Sequence, residues 1–183
     1  MPSEGPKAPI AAASNAAFGI VAWLNTGNAL LDDGAFATAA LSNVDVSSQY
    51  LDVTNFGFSI PNNSIIDGIL VEVNRKGTQV TDSIKDTRVR MLDGGVVTSQ
   101  DKSSAVAWPT VSEYQSYGGA SDLWGNFWNP ASINASGFGV TIAVTTAGLA
   151  ETASIDFIRI TVYYHLGKSG KIQQSKSLLG IGA

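Results

Sequence analysis

The chain of 183 residues contains no cysteine and a single histidine, His165. Zinc sites are built mainly from Cys and His, and covalent catalysis needs a nucleophile in contact with a base, so these shortages exclude most such chemistry. Disulfide bonds are also excluded, and a folded domain must be held by its hydrophobic core. A serine beside His165 is the remaining arrangement of nucleophile and base, but an isolated histidine is more often structural or solvated.

The sequence also does not mark out the paired carboxylates that glycosidases need. Glu72 and Glu113 could supply two, but nothing in their positions ties them together across a cleft. No glycine-rich loop has the lysine spacing of a phosphate-binding loop. We therefore predict that the protein is not an enzyme and holds no cofactor and no metal.

Charge is sparse, at 14% of residues, and the net charge is −4. Nucleic-acid-binding domains normally carry the opposite sign and a basic stripe, so we predict no nucleic-acid partner. No apolar run approaches the length of a membrane span, and the first residues lack the basic start and apolar run of a signal peptide. We expect a protein that is made and used without crossing a membrane by the usual route, and we predict no membrane partner.

The sequence does contain segments in which apolar and polar residues alternate, as they do in β-strands. Residues 155–164 place Ile158, Ile160, Val162 and Tyr164 on one face, as in a half-buried strand. The 19 glycines and the Asp-rich turns are typical of an all-β protein, and the length suits one domain with a sizeable core.

Two parts of the chain resemble each other. Residues 66–73 and 155–162 share the form Ile-Asp-x-Ile-x-(Val/Ile)-x-Val, and each follows a Phe-Gly-x-(Ser/Thr)-Ile block, at 56–60 and 138–142. Each copy reads as two strands joined by a turn. Internal duplication and the ordinary likeness of amphipathic strands both remain open. In either case we predict that the two long strands lie in the interior of a sheet.

Residues 105–130 form an aromatic segment interrupted by Pro and Gly. We predict a long crossover rather than a regular strand, with a short helical turn near 121–124 capped by Ser121. Its large aromatic side chains either anchor the crossover to the core or form an exposed platform on which a glycan could stack. The residues concerned are Trp108, Tyr117, Trp124 and Trp128.

The two ends of the chain differ in composition from its middle part. We therefore predict an N-terminal arm at 1–17, a sandwich domain at 18–164 and a C-terminal arm at 165–183. The last segment carries three lysines and no acid, whereas residues 1–164 have a net charge of −7. Extended, its 19 residues reach about 60 Å, farther than the radius of the domain. The residues predicted to contact other subunits are Ile10, Phe18, Ile172, Leu178, Leu179 and Ile181.

Two Asp-Gly turns offer oxygen ligands for calcium. Asp32-Asp33-Gly34 and Asp93-Gly94-Gly95 could each supply carboxylate and carbonyl oxygens in a sandwich loop. Both also have the composition of ordinary turns, and we favour that interpretation, although the sequence cannot tell whether a calcium ion binds in either loop.

Several motifs resemble a β-sandwich family that is met mainly among structural proteins of tailed bacteriophages. They are Ala107-Trp108-Pro109-Thr110, the run 117–125, Trp128-Asn129-Pro130, Phe138-Gly139 and the closing strand 155–164. The likeness covers about residues 20–164. It implies a virion protein, made in the host cytoplasm, that binds other virion proteins: a capsid decoration (cement) subunit, or a neck or tail component.

We therefore predict an all-β, jelly-roll-like antiparallel β-sandwich with a long aromatic crossover loop and extended N- and C-terminal arms. The predicted function is that of a non-enzymatic, homo-oligomeric structural subunit whose arms bind neighbouring subunits. The alternative is a carbohydrate-binding module for host recognition.

Overall fold

The computed structural model describes residues 2–42, 46–79, 84–98, 100–146, 148 and 150–167. These residues form two antiparallel sheets packed face to face, so the predicted all-β sandwich is confirmed. The described strands are β1 Ser3–Lys7, β2 Ala11–Asn15, β3 Ala37–Leu41, β4 Tyr50–Thr54, β5 Ser64–Lys76, β6 Ile84–Asp93, β7 Val96–Val97, β8 Glu113–Gly119, β9 Gly139–Thr146 and β10 Glu151–Leu166. A 3-10 turn, Thr26–Ala29, and one short helix, α1 Pro130–Asn134, complete the described elements.

The chain changes sheet at almost every step, as expected of a jelly roll. The first sheet has the order β1-β10-β5-β8, and β3 pairs with β10 beyond the end of β1. The second sheet has the order β2-β4-β9-β6-β7. Among the described connections, the β6–β7 hairpin alone joins two strands of one sheet, so the two layers are interwoven and share one core.

The core lies between the layers because the inward positions of the long strands are apolar. Ile158, Ile160 and Val162 of β10 are fully buried, as their alternation predicts. A β-bulge at Asp156 interrupts this alternation, because Ile155 pairs with Arg75 while Phe157 pairs with the next residue, Asn74. The bulge allows Ile155 and Ile158 both to face the core and leaves Asp156 unpaired in the ladder.

The two long strands of the internal repeat are neighbours in the interior of the first sheet, where β5 pairs with β10 over almost its whole length. That expectation is confirmed. The strand-turn-strand interpretation of the first copy is wrong, because residues 55–60 form no strand, whereas residues 139–146 form β9. The matching phenylalanines instead meet in the core, where the rings of Phe56 and Phe138 lie 6.5 Å apart edge to face.

The N-terminal segment is extended, but it pairs with its own chain. β1 pairs with β10 in the first sheet and β2 pairs with β4 in the second. The prediction that residues 1–17 reach away from the domain is therefore wrong for the strands in this stretch, since each is an edge strand of its own sandwich. The alanines of β2 gave no alternation to reveal this pairing.

The sandwich domain also extends past its predicted end at residue 164. β10 continues to Leu166, so His165 belongs to the sheet and not to an arm. Gly167 donates its backbone N–H to the carbonyl of Asn63, at 2.7 Å, beside the start of β5. The predicted contacts Ile172, Leu178, Leu179 and Ile181 lie outside the described residues.

The aromatic segment is more regular than predicted. It contains β8, whose seven residues pair with β5 from Ile69 to Arg75. The helical turn expected near Ser121 is absent from the described structure there, and α1 begins later, after Asn129. Asn129 caps α1 by accepting the N–H of Ser132 at 3.0 Å, and Pro130 occupies the first helical turn.

Candidate functional site

The four aromatic residues of the crossover lie inside the protein. Trp108, Tyr117, Trp124 and Trp128 are 2%, 5%, 0% and 8% exposed. A sugar ring cannot stack on rings that are covered on both faces, so a glycan platform formed by these residues is not compatible with the structure. Their burial corresponds to the anchoring role. Two other aromatic residues of this segment are exposed, Phe127 at 94% and Tyr114 at 36%.

Hydrogen bonds fix two of these anchors. The indole N–H of Trp124 donates to the carbonyl of Ile69 at 2.9 Å, and that of Trp128 donates to the carbonyl of Leu123 at 2.9 Å. Trp128 also packs edge to face on Phe138, with 5.4 Å between ring centroids. The crossover is thus attached to β5 and to the core.

A polar cluster is buried between the sheets. Arg75 of β5 forms an ion pair with Asp86 of β6, and the two side chains are 2% and 0% exposed. Asp86 Oδ1 also accepts the indole N–H of Trp108 at 2.8 Å, while Oδ2 accepts the hydroxyl of Tyr117 at 2.8 Å and the backbone N–H of Ser104 at 3.0 Å. We call Arg75, Asp86, Trp108 and Tyr117 the inter-sheet polar cluster.

This cluster is built for stability, since its carboxylate is fully used by donors from the protein. Burial, together with the charge of Asp86, raises the pKa of Tyr117, so its hydroxyl stays protonated and donates. The sequence did contain a signal for it, because Arg75 follows Ile69, Val71 and Val73 at the inward-facing positions of β5.

A second polar network lies on the outer face of the first sheet. Arg159 binds both oxygens of Glu72, at 2.9 and 3.0 Å, and its guanidinium lies 4.2 Å from the ring centroid of Tyr114. The hydroxyl of Tyr114 donates to Asp32 Oδ2 at 2.6 Å. Burial and this hydrogen bond raise the pKa of Tyr114 to about 12. The network therefore links β8, β5, β10 and the loop after the 3-10 turn.

The same loop brings Asp32 beside Asn74 and the bulged Asp156. Asn74 Nδ2 donates to Asp32 Oδ1 at 3.1 Å and lies 3.4 Å from Asp156 Oδ2. The backbone N–H groups of Asp33 and Gly34 donate to Asp156 Oδ1 at 3.3 and 3.0 Å. We call Asp32, Asn74 and Asp156 the bulge triad. Sequence reasoning singled out Asp32 but missed its partners, which lie 42 and 124 residues farther along the chain.

The two carboxyl groups of the bulge triad should titrate in a definite order. Burial, with the nearby charge of Asp32, raises the pKa of Asp156, whereas the Tyr114 hydrogen bond and Arg159 lower that of Asp32. Carboxyl ¹³C NMR should therefore give Asp156 a midpoint above that of Asp32, and Asp32→Asn should lower the Asp156 midpoint.

The sign of the effect on stability follows. The raised pKa of Asp156 favours folding at low pH, and this contribution is lost as pH rises through its folded pKa. The lowered pKa of Asp32 favours folding above its ordinary pKa, and this contribution is lost as pH falls through the lowered value. An Asp32 midpoint above that of Asp156 would contradict the arrangement.

The other carboxylates that the sequence suggested are not arranged for catalysis. Glu72 is held by Arg159, and Glu113 is exposed on β8. His165 Nδ1 lies 2.8 Å from Asp67 Oδ1 in an exposed pair, not beside a serine nucleophile.

The second Asp-Gly turn is an ordinary hairpin. Gly94 and Gly95 adopt φ of 59° and 82°, as the tight connection between β6 and β7 requires. Within the described ranges, no three or more His, Cys, Asp or Glu side chains lie together so as to hold a metal ion. Neither helical segment there has the length and apolar character needed to cross a bilayer.

The edges of the sheets differ in how they are protected. β1 carries Pro6 and Lys7, β2 is covered where the hydroxyl of Thr26 donates to the carbonyl of Ala12, and β7 has only two residues. β8 has seven residues with no Pro and no Lys, and in the described structure β5 is its one strand partner. An edge without such protection is a template for a further strand.

Two of the residues predicted to contact other subunits, Ile10 and Phe18, lie in the described part of the chain. Ile10, between β1 and β2, is 65% exposed, while Phe18 stacks on Tyr50 with 5.1 Å between ring centroids. Ile10 is therefore free to meet another subunit, whereas one face of Phe18 is already covered.

Comparison with protein-family models gives no match, and neither does comparison with curated proteins. Among solved structures, one described as "CBM4 structure and function" is similar with a TM-score of 0.43 and 8% sequence identity. The alignment covers 81% of this chain and 92% of the other.

Proposed function

We propose that the protein is a non-enzymatic structural subunit of a tailed-phage virion, either a capsid decoration protein or a component of the neck or tail. Its copies would assemble by strand addition, in which a segment of one copy pairs with a sheet edge of another. The observation that carries the proposal is the edge of β8, which lacks Pro and Lys and has β5 as its one strand partner among the described residues. Extended segments bind such edges through main-chain hydrogen bonds, and this mode of binding needs no ligand pocket.

The C-terminal segment of a second copy is the partner that we propose for this edge. Residues 168–183 carry Lys168, Lys171 and Lys176 and no acid, while the rest of the chain is strongly acidic. Glu113 is exposed at the start of β8. Opposite charges favour the encounter, and repeated weak contacts between identical subunits stabilise a closed assembly.

Blocking the edge should therefore prevent assembly. Ser116 is exposed in the middle of β8, and a lysine there opposes strand addition. We expect the full-length wild type to sediment as an oligomer and Ser116→Lys to dissociate at least tenfold more readily in analytical ultracentrifugation. The matched control is Ser103→Lys, which places the same side chain on an exposed residue of a loop and should leave the oligomer unchanged.

Deletion of residues 168–183 supplies the complementary half of the test. The truncated chain should keep its β-sheet circular dichroism, lose oligomerisation, and bind a synthetic 168–183 peptide unless it also carries Ser116→Lys. In purified particles, the truncated chain should fail to incorporate. A wild type that is monomeric at all concentrations, or an oligomer that is indifferent to both changes, would refute the proposal.

A further inference from the structure

We propose that the bulge triad, Asp32, Asn74 and Asp156, is a calcium-binding site that is completed by rotation of the Asn74 amide. The proposal does not rest on strand addition at β8, although Tyr114 of β8 contacts Asp32 of the site. Its three side chains come from the loop after the 3-10 turn, from β5 and from the bulge of β10.

The carboxylates are already oriented. Asp32 Oδ2 is held by the hydroxyl of Tyr114, and Asp156 Oδ1 by the N–H groups of Asp33 and Gly34. Each carboxylate thus presents its other oxygen, Oδ1 of Asp32 and Oδ2 of Asp156, to the same amide group of Asn74. Fixing one oxygen of a carboxylate to orient the other is how outer hydrogen bonds support metal ligands.

The oxygen of the Asn74 amide is left without a hydrogen bond, although its nitrogen donates to the carboxylates. Asn74 is 8% exposed, and its Oδ1 is buried with no hydrogen-bond partner among the described residues. An unpaired buried acceptor is unfavourable, because it has lost its hydrogen bonds with water and gained none in the protein. Rotation of the amide by half a turn would exchange Oδ1 and Nδ2, and Oδ1 would then face two carboxylate oxygens. That arrangement is repulsive unless a cation lies between the three oxygens.

The spacing and the ligand type indicate calcium. Neighbouring oxygens bound to one Ca²⁺ at 2.3–2.6 Å are about 3–3.5 Å apart. The amide position that Nδ2 now occupies lies 3.1 and 3.4 Å from the two carboxylate oxygens. Magnesium needs shorter bonds and a stricter octahedron. With three protein ligands and water for the rest, we expect a Kd on the order of 10⁻⁴–10⁻³ M.

The charges around the triad allow a cation. Arg159 acts on Asp32, but its guanidinium is bound by both oxygens of Glu72, which offsets its charge. Asp33, in the same loop, uses its Oδ1 to accept the N–H of Ala35. Arg159 therefore compensates Asp32 only in part, and none of the ion pairs of the described residues includes Asp156.

Terbium, which binds calcium sites and luminesces when excited through a nearby aromatic ring, is the first probe. We expect saturable Tb³⁺ emission from the full-length protein, sensitised by Tyr114 and displaced by Ca²⁺, and a higher Tm in calcium than in EDTA. Asp156→Asn should weaken Tb³⁺ binding at least tenfold and abolish the calcium effect on Tm. Asp93→Asn, the same change in the β6–β7 turn, should alter neither.

Asn74→Asp separates a ligand from a purely structural amide. A third carboxylate should tighten calcium binding about tenfold, whereas loss of a structural hydrogen bond would destabilise the fold without any gain in affinity. Absence of sensitised emission from the wild type, or equal emission from wild type and a folded Asp156→Asn, would overturn the proposal, as would an Asn74→Asp protein that binds calcium no better.

Discussion

Replacing Asp86 with alanine is expected to lower the free energy of unfolding by about 3–5 kcal/mol. The carboxylate accepts hydrogen bonds from Arg75, Trp108, Tyr117 and Ser104 between the sheets. Its removal leaves a buried guanidinium without its counter-charge and several donors without an acceptor. Urea denaturation followed by tryptophan fluorescence and circular dichroism measures the loss.

The control for Asp86→Ala is the more exposed ion pair of the first sheet. Glu72→Ala breaks the pair with Arg159, whose side chains are 19% and 31% exposed, and should cost at most about 1 kcal/mol. A double-mutant cycle of Asp86→Ala with Arg75→Ala isolates their coupling, which we expect to be favourable. If Asp86→Ala costs no more than Glu72→Ala, the inter-sheet polar cluster does not hold the layers together.

Trp124→Ala is expected to cost about 3–5 kcal/mol, because it removes a fully buried indole and leaves a cavity. It also leaves the carbonyl of Ile69 without the indole N–H that it accepts at 2.9 Å. Since small domains are stable by about 5–15 kcal/mol, the variant should unfold at a much lower temperature. Differential scanning calorimetry measures the change in Tm.

Phe127→Ala is the matched control, because it truncates an aromatic side chain three residues away that is 94% exposed. Its effect should stay within about 0.5 kcal/mol. A large loss for Phe127→Ala, or a small one for Trp124→Ala, would contradict the view that the crossover is anchored by its buried aromatic residues.

Prediction from sequence succeeded where one strand carried its own pattern. The alternation of Ile158, Ile160 and Val162 correctly placed β10 in the interior of a sheet. The prediction failed for β8, because Tyr114 and Tyr117 lie among Gly and Pro residues that suggested a loop. β8 is a strand because β5 supplies the hydrogen-bond partners, a long-range effect that overrides local preference.

The N-terminal segment shows the same limit. Its prolines and alanines suggested an arm, and yet β1 and β2 each complete a sheet. The bulge triad could not be predicted from the spacing of its residues, since Asp32, Asn74 and Asp156 meet only when three distant segments fold together.

By itself, the sequence determined that this protein is an all-β sandwich without cysteine chemistry, because residue types and a period of two act locally along each strand. Only the tertiary structure decided which aromatic residues are covered, which sheet edge is open and which carboxylates face one amide. Burial and charge proximity depend on contacts between residues far apart in the chain, and such contacts leave no local pattern.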